Sequence, residues 1–355
     1  MFRTIADSII KKEYGGEKIY LPRHVEYMMP QNFPDLEIME KVKINGIRLN
    51  KNYVQVTHAY GDRQNQSCAP LYQVLASMGI NMISMTLSTI DNGKTFVSGT
   101  IASKYFKRVS RQSGGWNYHT NVCTISIYPH HYRLQPLGFL LYLLGSRRVS
   151  FQCLISSNAL LTFIVDQIDC DAIINILSKN FDLPPSHVPF EQEENIEQTQ
   201  FLKRKYPETR ATYVEKKIKT YGITLVSDLH LCSYLFSFNQ LAEYGQKIQS
   251  LKNKENKFFY ISAVVTSSEQ IHLFLLTEKS LDIPARQTCT AELLSFHGPH
   301  FGDRHSIISR ALNCLSKKSI PVLQTGCTGA SIGIVLPEGK GKEAKKILKN
   351  VFEIP

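Results

Sequence analysis

CTAELLSFHGPHFGDRHSIISRALNCLSKKSIPVLQTGCTGASIGIVLPEGKGKEAKKILKNVF, residues 289–352, holds one complete structural phrase. Thr290–Phe296 reads as a strand and HGPHFGDRH as a turn-rich loop. Ile307, Ile308, Ala311, Leu312 and Leu315 recur at helical spacing. Ile320–Thr325 reads as a second strand, GCTGA as a turn, Ser331–Leu336 as a third strand and Lys342–Phe352 as a closing helix. Three upstream stretches repeat this order. Centred on Val56, Ile125, Leu225 and Phe296, the first strands stand 69, 100 and 71 residues apart, the spacing of a duplicated pair. In the first repeat Leu71, Val74, Leu75 and Met78 mark an apolar helix face, and Gly79 sits where a left-handed cap ends a helix. Pro136 opens the matching helix of the second repeat. The third repeat is the least regular, with KNKENK inserted before its second strand and no evident second helix after Leu276.

A chain of 355 residues with 43% apolar content buries a substantial core. The expected organisation is an N-terminal extension (1–50) with a helix over Phe2–Lys12, a first pair of repeats (51–182), a charged, Pro-containing linker (183–218) and a second pair (219–355). The fold class expected is α+β, with ferredoxin-like units and sheets of about four strands each that continue across a pair. Exposed strand edges invite pairing, so either the two pairs pack on each other or two chains do with twofold symmetry. The longest apolar run, PLGFLLYLL at 136–144, is far short of the ~20 residues that span a bilayer. No secretory signal opens the sequence, and eight cysteines placed singly suit a reducing cytoplasm better than a disulfide framework.

The formal charge is +11. The Lys-rich runs at 247–257 and 340–346 do not interleave with aromatic residues, so a solvated surface is expected rather than a nucleic-acid platform. Histidines lie in or beside every first strand–helix loop: His58, His130 and His131, His230, then His297, His300 and His305. None has the spacing of a helical HxxxH or a Cys/His knuckle, so no metal and no cofactor are expected. Cys327 lies in a Gly/Thr turn with no base placed beside it, so the residues point to no enzyme.

The phrase IPVLQTGCTGASIGIVLPEGKGKEAKKILKNVF resembles the ACT-domain regulatory region of aspartokinases. NGIRLNKNYVQVTHAYGDRQNQSCAPLYQVLASMGINMISM resembles that family's first regulatory unit, and FQCLISSNALLTFIVDQIDCDAIINILSKNF its second, with Ser156, Ser157 and Asn158 at the Ser-rich turn. No kinase-type phosphate-binding opening precedes residue 50, so the resemblance is to the sensor without its catalytic domain. It implies a non-catalytic regulatory protein that binds an amino-acid effector as a homodimer or acts on a partner enzyme. A scaffold of ACT-like units with no ligand is the alternative.

In that family the effector sits where a strand–helix loop ends at a helix N-terminus, because free N–H groups there favour a carboxylate. The resemblance places two candidate corners on this sequence. One is Tyr60, Asp62, Arg63, Gln64 and Asn65, faced by Asn81 and Met82. The other is His300, Phe301, Gly302 and Asp303, faced by Gln324 and Thr325. Three departures stand out. Ile83 replaces the acidic residue of lysine-sensing members, the Pro-Gly before the first helix is missing, and Gly329 replaces a frequent acid. Lysine is thereby left unsupported as the ligand.

Overall fold

The computed structural model describes residues 12–14, 17–19, 41–60, 69–89, 95–111, 115–185, 190–191, 217–251, 256–266, 270–299, 301–302, 304–328 and 331–353. The chain divides into two compact units, residues 1–40 and 41–355. In the first, β1 (Lys12–Tyr14) and β2 (Glu17–Ile19) pair antiparallel. The helix expected over Phe2–Lys12 lies outside the described residues except for Lys12, which belongs to β1.

The second unit spells the strand–helix–strand–strand order four times. The first repeat is β3 (Gly46–Tyr60), α1 (Leu71–Ser77), β4 (Ser84–Thr89), β5 (Thr95–Ala102) and a short α2 (Phe106–Ser110). The second is β6 (Asn117–Tyr128), α3 (Leu134–Ser146), β7 (Cys153–Ser156), β8 (Leu161–Asp166) and α4 (Cys170–Asn180). Two short strands, β9 (Phe190–Glu191) and β10 (Ile218–Lys219), precede the third repeat. That repeat is β11 (Gly222–Ser237), α5 (Leu241–Ser250), β12 (Phe258–Val265) and β13 (Gln270–Thr277), with no closing helix among its described residues. The fourth is β14 (Gln287–His297), α6 (Ile307–Ser316), β15 (Gln324–Cys327), β16 (Ser331–Pro337) and α7 (Gly341–Leu348), followed by β17 (Phe352–Glu353).

Three boundaries differ from expectation. β3 starts at Gly46 rather than beyond residue 50, because Ile47 and Leu49 alternate onto a buried face. β15 starts at Gln324 rather than Ile320: the Ile320 N–H is taken by the Leu315 carbonyl at the end of α6, and Pro321 has no N–H for a ladder. α7 ends at Leu348, and Phe352 instead enters β17, which pairs parallel with β10.

The sheet is also larger than expected. Thirteen strands run in the order β5-β4-β15-β16-β14-β11-β13-β12-β7-β8-β6-β3-β9, and a further pairing of β5 with β3 closes the sheet on itself. Only the appended β9 stands outside that ring, and every neighbouring pair within it is antiparallel. Exchanging the first two repeats for the last two carries the ring onto itself. The first repeat meets the fourth through β4 and β15, and the second meets the third through β7 and β12. The edges that the sequence leaves open are thus paired within one chain.

Alternating residues divide between an outer face under the helices and an inner face. Outside, Val54, Val56, Met85, Leu87, Val97, Ile101, Ile332 and Ile334 pack with α1 and α6 in one core. Inside, opposite walls touch. A Cβ on Gly326 would stand 2.7 Å from the Tyr260 ring and 3.0 Å from Ile155, so glycine lets β15 approach β12 and β7. The inner face is partly polar, with Gln55 donating to Ser98 (2.7 Å) and Ser84 to Thr100 (2.9 Å). Cys123 and Cys170 form a disulfide from β6 to α4, which corrects the expectation that all eight thiols stay single. Cys153 is buried, and burial pushes its thiol up to about 12.

Candidate functional site

Two helix pairs cover the ring, and they differ. Over the second and third repeats, α3 and α5 touch backbone to backbone. A Cβ on Gly138, Gly145 or Gly245 would lie 2.5, 2.3 or 2.3 Å from a backbone nitrogen of the opposing helix. The nearby loop corner is filled by His130, whose ring packs 4.7 Å from that of Phe258. Both ring nitrogens of His130 are used: Nε2–H donates to the Ser157 carbonyl at 2.8 Å and Nδ1 accepts from the Tyr132 N–H at 2.9 Å. Burial lowers its pKa to about 4. This corner is a sealed joint.

Over the first and fourth repeats, α1 and α6 are joined by side chains instead. Gln73 Nε2 donates to Asn313 Oδ1 at 2.6 Å. The Asn81 amide donates to the Gly302 carbonyl, and Ser306 Oγ donates to the Ala76 carbonyl at 3.3 Å. Ser306 occupies a left-handed conformation (φ 69°) at the start of α6, and just ahead of it Phe301, Gly302 and Arg304 meet the first repeat. A pocket opens along this seam. Tyr72, Ala76, Ile80, Asn81 and Met82 line it from the first repeat; Phe301, Arg304, Ser306, Ile307, Ile308, Cys327 and Ile332 line it from the fourth. Its cavity volume is about 20 Å³, room for a water-sized occupant, so a larger guest must part the two repeats. Among the described lining residues the charged one is Arg304, 8% exposed.

Each of the two corners read from the sequence contributes a small part of this lining. Asn81 and Met82 come from the first; Phe301, and Gly302 through its bond to Asn81, come from the fourth. Tyr60 stands one residue removed, hydrogen-bonded to the pocket-lining Tyr72, and burial followed by Tyr72 pushes its hydroxyl well above the usual range. Gln324 and Thr325 are buried in β15 and do not line the pocket. Asp62, Arg63, Gln64, Asn65, His300 and Asp303 lie outside the described residues. Sequence reasoning missed Arg304, Ser306 and Tyr72. The cation immediately ahead of an amphipathic helix was the available signal for Arg304.

Among the described residues the histidines do not converge. His58 is buried beside Tyr60 and Trp116, and burial lowers its pKa. The His297 ring packs tilted against that of Tyr221, and His305 Nδ1 lies 2.7 Å from Ser306 Oγ. Among the described residues no three His, Cys, Asp or Glu side chains gather as a metal site. Among them, too, no helix is long and apolar enough to cross a membrane.

No family model matches the chain, and no curated protein matches it. Solved structures do. The crystal structure of aspartate kinase from Synechocystis superposes on 95% of this chain with a TM-score of 0.64 at 13% identity. The chain shares its fold with an aspartate kinase structure. It spans 60% of that enzyme's length. The regulatory subunit of aspartate kinase from Thermus thermophilus matches 39% of this chain and 99% of its own, with a TM-score of 0.33 and 13% identity. The first match corrects two expectations from the sequence. A likeness to a regulatory region alone, and a chain placed outside the enzymes, both give way to a structure of a whole aspartate kinase matched over nearly all of this chain. The sequence-level cause is plain: the expectation rested on a missing phosphate-binding opening, and a fold likeness at this identity is carried by topology rather than by motifs.

Proposed function

We propose that this aspartokinase-related chain binds a small amino-acid effector in the pocket between its first and fourth repeats, and that the repeats are ferredoxin-like units of ACT type. The observation that supports this most is the pocket itself, which opens at the seam between the first and fourth repeats beside the Asn81–Gly302 and Ser306–Ala76 hydrogen bonds. The ligand bridges segments more than two hundred residues apart, so its binding energy bears directly on how the two pairs of repeats sit together. Coupling of that kind gives regulation a physical route, within the chain or to a second copy of it.

A thermal-shift screen against the twenty amino acids tests the reading. A ligand at one hundred times its Kd adds about 2.7 kcal/mol of stability. At least one amino acid is expected to raise the melting temperature, and a screen in which none does so contradicts the proposal. Asn81→Ala removes the latch to Gly302 at an exposed position. It is expected to change stability by less than about 1 kcal/mol while shifting ligand affinity several-fold, because the seam must part for entry. Titration calorimetry on both proteins reads that difference.

A further inference from the structure

β3 and β11 are matching strands of the two pairs of repeats. Each has a bulge with a left-handed residue, Asn52 (φ 67°) in β3 and Asp228 (φ 58°) in β11. Ahead of the bulge, residues 46–50 pair with β6 and residues 222–226 with β14, while β5 reaches only to Tyr53 and β13 only to His230. On β3 the second edge is filled there: Phe190 and Glu191 of β9 lie parallel beside Arg48 and Leu49, and Leu49 is buried. Four and three residues ahead of the bulge, the matching place on β11 is Thr224 and Leu225. Among the described residues no strand pairs with it, Thr224 is exposed, and Leu225 and Val226 are half-buried.

The Tyr221 N–H donates to the His297 carbonyl at the end of β14, so by alternation the backbone groups of Gly222, Thr224 and Val226 point away from β14. Tyr221, 65% exposed, stands at the head of this edge. The helix over Leu225 is α7, on which Lys342, Lys346 and Lys349 are exposed. Of the nearby acids, Glu292 accepts from Ser227 and the Gly341 N–H, and Glu343 lies 3.6 Å from Lys340, which leaves Asp228 and Glu353 against those lysines. An open strand edge takes an extended peptide as an added strand, and the charges around it choose the peptide. We propose that the β11 edge at residues 222–226 docks an extended acidic segment of a partner protein as a parallel strand. The register of β9 on β3 puts an aromatic residue opposite Thr224 and a carboxylate opposite Leu225.

The probe is a synthetic peptide with the sequence of residues 186–195, SHVPFEQEEN, whose Phe-Glu occupies the matching place on β3. Hydrogen–deuterium exchange of the full chain is expected to slow at residues 222–226 when the peptide is added, and to stay unchanged at residues 46–50, where β9 is already in place. Thr224→Pro removes an outward N–H but no bond to β14, and is expected to weaken peptide binding about tenfold. Exchanging the glutamates of the peptide for glutamine is expected to weaken it roughly fivefold at low salt. Slowing confined to residues 46–50, or no slowing at about 1 mM peptide, overturns the proposal. Binding that Thr224→Pro or the glutamine peptide leaves unchanged overturns it as well. So does an edge already protected in the free chain; light scattering then separates a dimer, in which a second copy covers the edge, from a monomer, in which the chain covers its own. The exchange map of the unaltered chain decides the matter even if the proline variant fails to fold.

Discussion

Replacing Gly245 by alanine is expected to destabilise the chain by about 3 kcal/mol, the upper end for overpacking a well-packed core. The new Cβ would lie 2.3 Å from the Tyr142 nitrogen and 2.7 Å from its Cα, and neither is the end of a flexible side chain. Both atoms belong to α3, whose Leu137, Leu140, Leu141 and Leu144 are buried, so α3 cannot yield without opening the core beneath it. Alanine's better helix propensity returns only about 1 kcal/mol, so the clash dominates. Gly339→Ala is the matched control. Unlike the helical Gly245 it has a left-handed backbone (φ 79°), with nothing within 4 Å, so it reads backbone strain alone and should cost about 1 kcal/mol. Urea unfolding of the three proteins reads the difference. Equal costs for Gly245→Ala and Gly339→Ala would mean that α3 and α5 do not meet at their backbones.

The second large effect is a pH dependence centred on His130. Its folded pKa is lowered to about 4, chiefly by burial, from the ordinary 6.5. Between those values the unfolded chain carries the proton and the folded chain does not, so stability rises with pH across that window. The contribution is fully present above pH 6.5 and is lost as pH falls towards 4, amounting to about 3 kcal/mol. The hydrogen bonds supply the mechanism: protonating Nδ1 destroys the acceptor for the Tyr132 N–H. His130→Phe is expected to be less stable at pH 7, because the Tyr132 and Ser157 partners lose their bonds. Its further loss of stability between pH 7 and pH 4.5 should be smaller by one to three kcal/mol, of the order set by that single group. Unfolding midpoints at the two pH values check this. Equal acid sensitivity in both proteins would mean that His130 is not buried neutral.

How far the sequence reveals this architecture depends on the range of the forces involved. The repeated strand–helix–strand–strand order is local, written in helical periods such as Ile307, Ile308, Ala311 and Leu312, and those residues do form the buried face of α6. Gly79 likewise takes the left-handed turn after α1 (φ 67°). The pairing of β4 with β15, residues 84–89 with 324–327, carries no local signal, because an edge strand's hydrophobic pattern does not name its partner. That pairing turns sheets of about four strands into one closed ring. The same gap hid the candidate site. Its two halves were visible as polar loops, but each was matched to the strand beside it in sequence rather than to the neighbouring repeat. Arg304 becomes notable only once it is seen buried in the lining shared by the first and fourth repeats. The glycines of α3 and α5 were equally silent, since Gly138 and Gly245 explain themselves only against each other.

Hydrogen–deuterium exchange of the full chain, with and without a saturating concentration of the amino acid that most raises its melting temperature, tests the central claim most directly. The account predicts slowed exchange in two segments far apart in sequence, residues 76–82 and 304–308, which face each other across the pocket. It predicts no change in residues 129–133 and 256–260, where His130 and the glycine-packed helices seal the equivalent seam. Protection confined to that sealed corner, or no protection in either place, would contradict it.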